Sequence, residues 1–288
     1  MTIKKFDSVV IAGGNIKGVA ILGSLHYCME NNIIDNEVKY WVGTSIGAII
    51  CYMIAIGFKP EEILIHIIKN RGILQTYTNV DYISMVNATG AASYDKLQSL
   101  LERITIEKTG RLFTLKQIKD IFGMTLVCVT YNYTKRCAEY LNPDDNPDIP
   151  AIIACKMSSN IPIYFDKFKY GDSFYIDGGI HDNFAIDYPF KNGMNHPLGF
   201  NIHTNVTADD KMSSYLFNLY KVMSNATSEV KIEMYHSRSM IIELRLDNLN
   251  LWDADYKPNS FLDLYSCGYT QTEHLIENDE DLEESELC

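Results

Sequence analysis

The sequence predicts a layered α/β fold built around a mostly parallel sheet, and two observations predict it. Short apolar or β-branched runs alternate with helix-like runs along the chain, the pattern of successive βα units. Two of the strand-to-helix junctions are also glycine-rich, Gly13-Gly14-Asn15-Ile16-Lys17-Gly18 and Gly43-Thr44-Ser45-Ile46-Gly47. A chain of 288 residues with 47% hydrophobic content can bury one large core, so residues 1–277 read as a single domain.

In chain order, Ser8 to Ala12 reads as a strand that runs into the first glycine-rich loop, and Val19 to Asn31 as the helix after it. Val38 to Val42 is the next strand and Ala48 to Phe58 an apolar helix. Pro60, followed by Glu61 and Glu62, starts another helix with Ile63, Leu64, Ile67 and Ile68 on one face, ending near Gly72. Residues 73–93 have no clear period and carry one charge, Asp81; they are expected to cap the site. Helices follow from Ser93 and from Thr114, the latter with Gln117 at capping-box spacing. Thr125 to Tyr133 is a buried strand, Pro143 to Pro150 a polar turn region, and Ala151 to Met157 a short helix. Ser173 to Ile176 is a strand that ends in Asp177-Gly178-Gly179, a tight turn that aims the carboxylate. Leu198 to His203 and Met240 to Leu246 read as strands, Met212 to Tyr235 and Phe261 to Glu277 as helices.

The second glycine-rich junction is the chemical centre of the chain. Gly-x-Ser-x-Gly between a strand and a helix is the setting of a nucleophile elbow, in which Gly43 and Gly47 leave room for a strained turn at Ser45. The Ser45 hydroxyl then projects at a helix N-terminus, where backbone N–H groups and the helix dipole favour an oxyanion. The competing reading is a membrane span, because Trp41 to Phe58 carries no charge over 18 residues. That length is at the short limit for a span, so a buried core helix is expected. The first glycine-rich loop matches neither the Walker nor the dinucleotide-binding spacing, which lowers a nucleotide reading and leaves its amides as donors for an oxyanion hole.

Charge and cysteine content exclude other classes. A formal charge of −12 disfavours nucleic acid and electrostatic capture on anionic membranes. Seven of the acids lie in the last twelve positions, which makes 278–288 an acidic tail, expected to be disordered. Seven cysteines without Cys-x-x-Cys spacing point to a reducing compartment and no zinc site; Cys28, Cys51 and Cys128 read as core residues. The N-terminal residues lack the apolar region and cleavage site of a signal peptide, so a cytoplasmic location is expected.

Three blocks, in order, give the chain a family resemblance. Gly13-Gly14-Asn15-Ile16-Lys17-Gly18, Gly43-Thr44-Ser45-Ile46-Gly47 and Asp177-Gly178-Gly179 resemble the motifs of the patatin-like phospholipases. Ser158-Ser159-Asn160-Ile161-Pro162 is similar to the family's Ser-x-x-x-Pro stretch, and Asn183 falls where the family often has Asn. Two positions depart from the pattern. Asn15 replaces a third glycine, a residue type that tolerates left-handed backbone, and Ala185 stands where Pro is common.

The resemblance implies a three-layer α/β/α sandwich and a lipid acyl hydrolase of the phospholipase A type. It makes Ser45 the nucleophile and Asp177 its base, with the oxyanion hole at Gly13, Gly14 and Asn15. Lys17, Gly18, Gly43, Gly47, Gly178 and Gly179 are supporting motif positions. The expected partners are a phospholipid or other acyl-ester lipid and, transiently, a membrane surface; no metal or other cofactor is expected. An α/β-hydrolase with a Ser-Asp-His triad through His196 or His203 is the nearest alternative, and a catalytically silent lipid-binding protein is another. The first would need several strands before its elbow, and the second would be expected to lack Ser45 or Asp177.

Overall fold

The computed structural model describes residues 5–76, 92–162, 164–203, 212–246 and 257–285. Of the stretch expected to cap the site, residues 77–91 lie outside the described residues. The strands are β1 Ser8–Ile11, β2 Tyr40–Thr44, β3 Thr125–Asn132, β4 Cys137–Leu141, β5 Phe168–Tyr170, β6 Ser173–Asp177, β7 Pro197–His203 and β8 Met240–Arg245. They form one sheet in the order β5-β6-β3-β2-β1-β7-β8, with β4 also paired to β3. The five strands β3, β2, β1, β7 and β8 run parallel; β4 and β6 each pair antiparallel with β3, and β5 pairs antiparallel with β6.

The helices are α1 Gly18–Glu30, α2 Ile46–Ala55, α3 Pro60–Lys69, α4 Arg71–Thr76, α5 Asp95–Thr109, α6 Leu115–Phe122, α7 Ala151–Ser159, α8 Tyr188–Lys191, α9 Met212–Tyr235 and α10 Pro258–Ser285. Alternation along β1 shows why they form two outer layers. Val9 and Ile11 point into a large core with α1, α2, α3, α5, α7 and α10, whereas Val10 and Ala12 point into a second core with Phe184, Ile186, Ile232 and Tyr235. A strand buried on both faces reads as a continuous apolar run, as the strand at Ser8 does. The fold is therefore the expected three-layer α/β sandwich.

The uncharged run at 41–58 is divided between a strand, an elbow and the ten-residue α2. No helix among the described residues is long and apolar enough to cross a membrane. The capping box at Thr114 is present, with Thr114 Oγ1 accepting the Gln117 N–H at 3.3 Å and Gln117 Oε1 accepting the Thr114 N–H at 3.0 Å. Helix α1 is fixed to α10 at a crossing so close that a β-carbon on Gly268 would lie 1.8 Å from the Ala20 carbonyl oxygen.

Several elements differ from expectation. β4 and β5 were not anticipated, because neither short strand carries an apolar alternation of its own and both take their register from neighbours, β3 and β6. β2 begins two residues late, since Val38 belongs to the preceding turn, where its carbonyl accepts the indole N–H of Trp41 at 3.2 Å. The last helix continues to Ser285 through most of the acidic segment expected as a disordered tail, in line with the high helix propensity of Glu.

Candidate active site

Ser45 sits between the last residue of β2 and the first of α2 with φ 56° and ψ −126°. That backbone is disfavoured for any residue with a side chain and persists only where its surroundings enforce it. Here they do so through close packing. A β-carbon on Gly43 would lie 2.4 Å from the Ala48 nitrogen, and one on Gly47 would lie 2.4 Å from the Ile11 carbonyl oxygen. The Ser45 N–H donates to Ser158 Oγ at 2.9 Å, and the Ser158 hydroxyl in turn donates to the Val129 carbonyl at 2.6 Å. Thr44 Oγ1 donates to the Asp182 carbonyl at 3.1 Å, tying the strand end to the loop that follows β6.

Sheet register brings Asp177 to the same place. Cys128 and Val129 pair with both β2 and β4, and Thr130 pairs with both β4 and β6, so β2 and β6 occupy one edge of β3. They meet there head to head. Val129 is opposite Thr44, and the next residue, Thr130, is opposite Asp177. The nucleophile candidate follows the end of one strand, and the carboxylate closes the other.

Asp177 is fully buried. Burial pushes its carboxyl up to about 6, against the opposing influence of the Ser45 side chain, the Gly179 amide and the Tyr220 hydroxyl. Oδ1 accepts the Gly179 N–H at 2.7 Å and the Tyr220 O–H at 2.8 Å. Oδ2 is buried with no hydrogen-bond partner among the described residues. Ser45 is thus near enough to favour the ionised carboxyl, but the contact is looser than a formed hydrogen bond, as is common before substrate binds. The Asp177 N–H donates to the Asn160 carbonyl at 2.9 Å.

The first glycine-rich loop closes over these two residues. Gly13 is clamped to Asn183 in both directions: its N–H donates to the Asn183 carbonyl at 3.2 Å and its carbonyl accepts from Asn183 Nδ2 at 3.3 Å. A β-carbon on Gly13 would lie 2.4 Å from Asn183 Oδ1 and 3.1 Å from the Ser45 β-carbon. Asn15 adopts the left-handed backbone expected of the third-glycine position, with φ 53°. The N–H groups of Gly14 and Asn15 have no acceptor among the described residues, whereas that of Gly13 is engaged. Lys17 lies in the 3-10 turn that leads into α1, and a β-carbon on Gly18 would meet the Ile46 side chain at 2.8 Å. Gly178 packs against the Val129 carbonyl, 2.3 Å from where its β-carbon would be.

Ser45 and Asn15 open onto a cavity of about 160 Å³. Its walls are apolar, formed by Leu22, Ile50, Met53, Leu97, Leu101 and Ile104 among others, and His66 and Asn70 also line it. The site therefore juxtaposes a strained serine, a buried carboxylate, unengaged backbone donors and an apolar slot. Such a set can transfer an acyl group from an ester with a long apolar chain.

Every site residue predicted from the sequence falls within this region. Of the two histidines considered as a base, His196 precedes β7 at the end of the sheet opposite Ser45, since Pro197 pairs with Ser8 at the start of β1. His203 closes β7 and pairs with Arg245 of β8. Ser158 and Asn160 lie in the Ser-x-x-x-Pro stretch, which signalled them without a role. Tyr220 had no sequence signal, because it is one tyrosine within a long helical pattern.

A family model described as "Patatin-like phospholipase" matches residues 9–190. "Probable lipid hydrolase 463L" of Invertebrate iridescent virus 6 is 32% identical over 190 residues, which is 65% of this chain and 64% of that protein. The match thus spans just under two thirds of that relative's own length. "Uncharacterized protein R571" of Acanthamoeba polyphaga mimivirus is 25% identical over 288 residues, 94% of each chain. Among solved structures, VipD from Legionella pneumophila is similar with a TM-score of 0.57 at 15% identity, covering 96% of this chain and 67% of its own. At that identity the likeness concerns the fold.

Proposed function

The chain belongs to the patatin-like phospholipase family, and on that premise we propose that it is a lipid acyl hydrolase of the phospholipase A type, with Ser45 and Asp177 as its catalytic dyad. The observation that carries the reading is the head-to-head meeting of β2 and β6 on one edge of β3, at the mouth of an apolar cavity. In this reading Ser45 Oγ attacks the ester carbonyl carbon while its proton passes to Asp177 Oδ2. The tetrahedral oxyanion is held by the amides of Gly14 and Asn15, with that of Ile46 at the start of α2, while Gly13 keeps the loop closed through Asn183. Asp177 returns the proton to the departing alcohol oxygen, leaving an acyl-Ser45. Water then attacks that acyl group, giving a proton to Asp177, which passes it to Ser45 Oγ as the acyl–serine bond breaks and free fatty acid leaves.

An aspartate of ordinary pKa, about 4, is a weak base for this step. Burial answers part of that difficulty by raising Asp177 to about 6. The scheme calls on no metal or other cofactor. The apolar lining favours a fatty acyl chain, so the substrate is drawn from a lipid assembly and contact with a membrane surface is part of the proposal. The test is product analysis after incubation with mixed phospholipid vesicles. Free fatty acid and lysophospholipid are expected; no product above a Ser45→Ala control would reject the lipid hydrolase reading.

A further inference from the structure

We infer that Tyr220 is a positioning residue for Asp177, fixing which carboxylate oxygen faces Ser45 and holding the carboxylate in its ionised form. The inference rests on the reading of Ser45 and Asp177 as the reacting pair. Tyr220 lies on α9, beyond residues 9–190 that the family model matches. Its hydroxyl and the Gly179 amide both donate to Oδ1, at 2.8 and 2.7 Å. Two donors on one oxygen fix the carboxyl plane and leave Oδ2 as the acceptor for the serine proton.

A second, independent observation comes from Gly179. A β-carbon there would lie 2.4 Å from the Tyr220 hydroxyl. The second glycine of Asp-Gly-Gly is therefore what lets this tyrosine reach the carboxylate. The helix is also built for the contact. α9 turns Tyr220, Ser224, Ser228 and Lys231 inward, with Ile232 and Tyr235 in the second core, and leaves Tyr215, Leu219, Val222 and Val230 exposed. Polar contacts fasten the inward side: Lys231 donates to Asp182 at 2.6 Å and also to Asp187. Both of those acids lie in the segment that follows Asp177, so α9 is fastened to the loop whose carboxylate it contacts.

Burial and the neighbouring carboxylate hold the Tyr220 phenol well above its usual range, so it remains a donor throughout the working pH range. The other titratable groups of this segment are accounted for: Asp182 and Asp187 are paired with Lys231, and His181 lies against Tyr131. Tyr220 is therefore the O–H donor from outside the elbow that favours the ionised Asp177.

The experiment uses the full chain and the rate at which an alkyl fluorophosphonate labels Ser45, measured from pH 5 to pH 9. In that reaction Ser45 Oγ bonds to phosphorus, fluoride leaves and the serine proton goes to the base, so no lipid substrate is needed. Tyr220→Phe removes one hydroxyl and keeps the ring. It should move the midpoint of the acidic limb up by about one pH unit, which is about fivefold slower labelling at pH 6 and near parity at pH 9. 3-Fluorotyrosine at position 220, a stronger donor of nearly the same shape, should move the midpoint down, and serves if Tyr220→Phe unfolds. A wild-type midpoint in both variants would overturn the positioning role alone. Absence of labelling in the wild type at every pH would overturn the reading of Ser45 itself, and the role of Tyr220 with it.

Discussion

The hydroxyl of Ser158 accepts a hydrogen bond from the backbone N–H of Ser45 at 2.9 Å and donates one to the Val129 carbonyl at 2.6 Å. Two residues on, the Asn160 carbonyl accepts the N–H of Asp177 at 2.9 Å. One end of α7 thus holds the backbones of both proposed reactants. The arrangement helps a serine with φ 56° to be tolerated, because its amide is satisfied in that conformation.

Ser158→Ala should therefore be more harmful than its size suggests. It leaves a buried N–H and a buried carbonyl unpaired, at about 2 kcal/mol of stability, and loosens the elbow. Denaturant unfolding and turnover of a soluble ester are the measurements. A loss of turnover of about tenfold or more is expected; unchanged stability and turnover would remove Ser158 as the brace.

Asp177 gives a prediction with a definite sign. Its folded pKa, raised to about 6 by burial, exceeds the ordinary unfolded value of about 4. The folded state therefore binds a proton between those values. Stability from this group is fully present below about pH 4 and is lost as pH rises through about 6. Asp177→Asn, which keeps an oxygen to accept from Gly179 and Tyr220, should be inactive yet more stable than wild type at pH 8, by roughly 3 kcal/mol at most. Thermal melts of both proteins at pH 4 and pH 8 provide the comparison. A variant less stable at pH 8 than at pH 4, relative to wild type, would contradict the raised pKa.

The cavity predicts chain-length selectivity. Leu97, partly buried on α5, lines the slot that opens at Ser45. Leu97→Trp should shorten the slot, lowering kcat/KM for a long-chain ester by about tenfold, the order expected from a few lost methylene contacts. A butyrate ester should be affected by less than about twofold. Equal losses on both esters would show that the acyl chain lies elsewhere.

What could be read from the sequence, and what could not, follows from where each constraint is written. Gly43, Gly47 and Gly178 are glycines because backbone atoms stand where a side chain would be, so the elbow and the Asp177 turn leave a local signature. The same holds for Thr114 and Gln117, whose capping box is a four-residue pattern. β4 and β5 left no such mark, since their existence depends on β3 and β6. Gly43 illustrates a local rule overridden: it reads as a strand breaker but pairs with Ile11 on one side and Cys128 on the other. Tyr220 was illegible for a stronger reason. It lies 43 residues from Asp177, and only the crossing of α9 over the Asp-Gly-Gly turn brings the two together.

Ser45 and Asp177 are proposed to react without a histidine base, and fatty-acid release from phospholipid vesicles in excess EDTA separates the two cases. Wild type, Ser45→Ala, Asp177→Asn and His203→Gln would be run side by side. Release by wild type and by His203→Gln at near-equal rates is expected, with Ser45→Ala and Asp177→Asn at background. Near-normal release by Asp177→Asn together with loss in His203→Gln would contradict it and make a histidine the base.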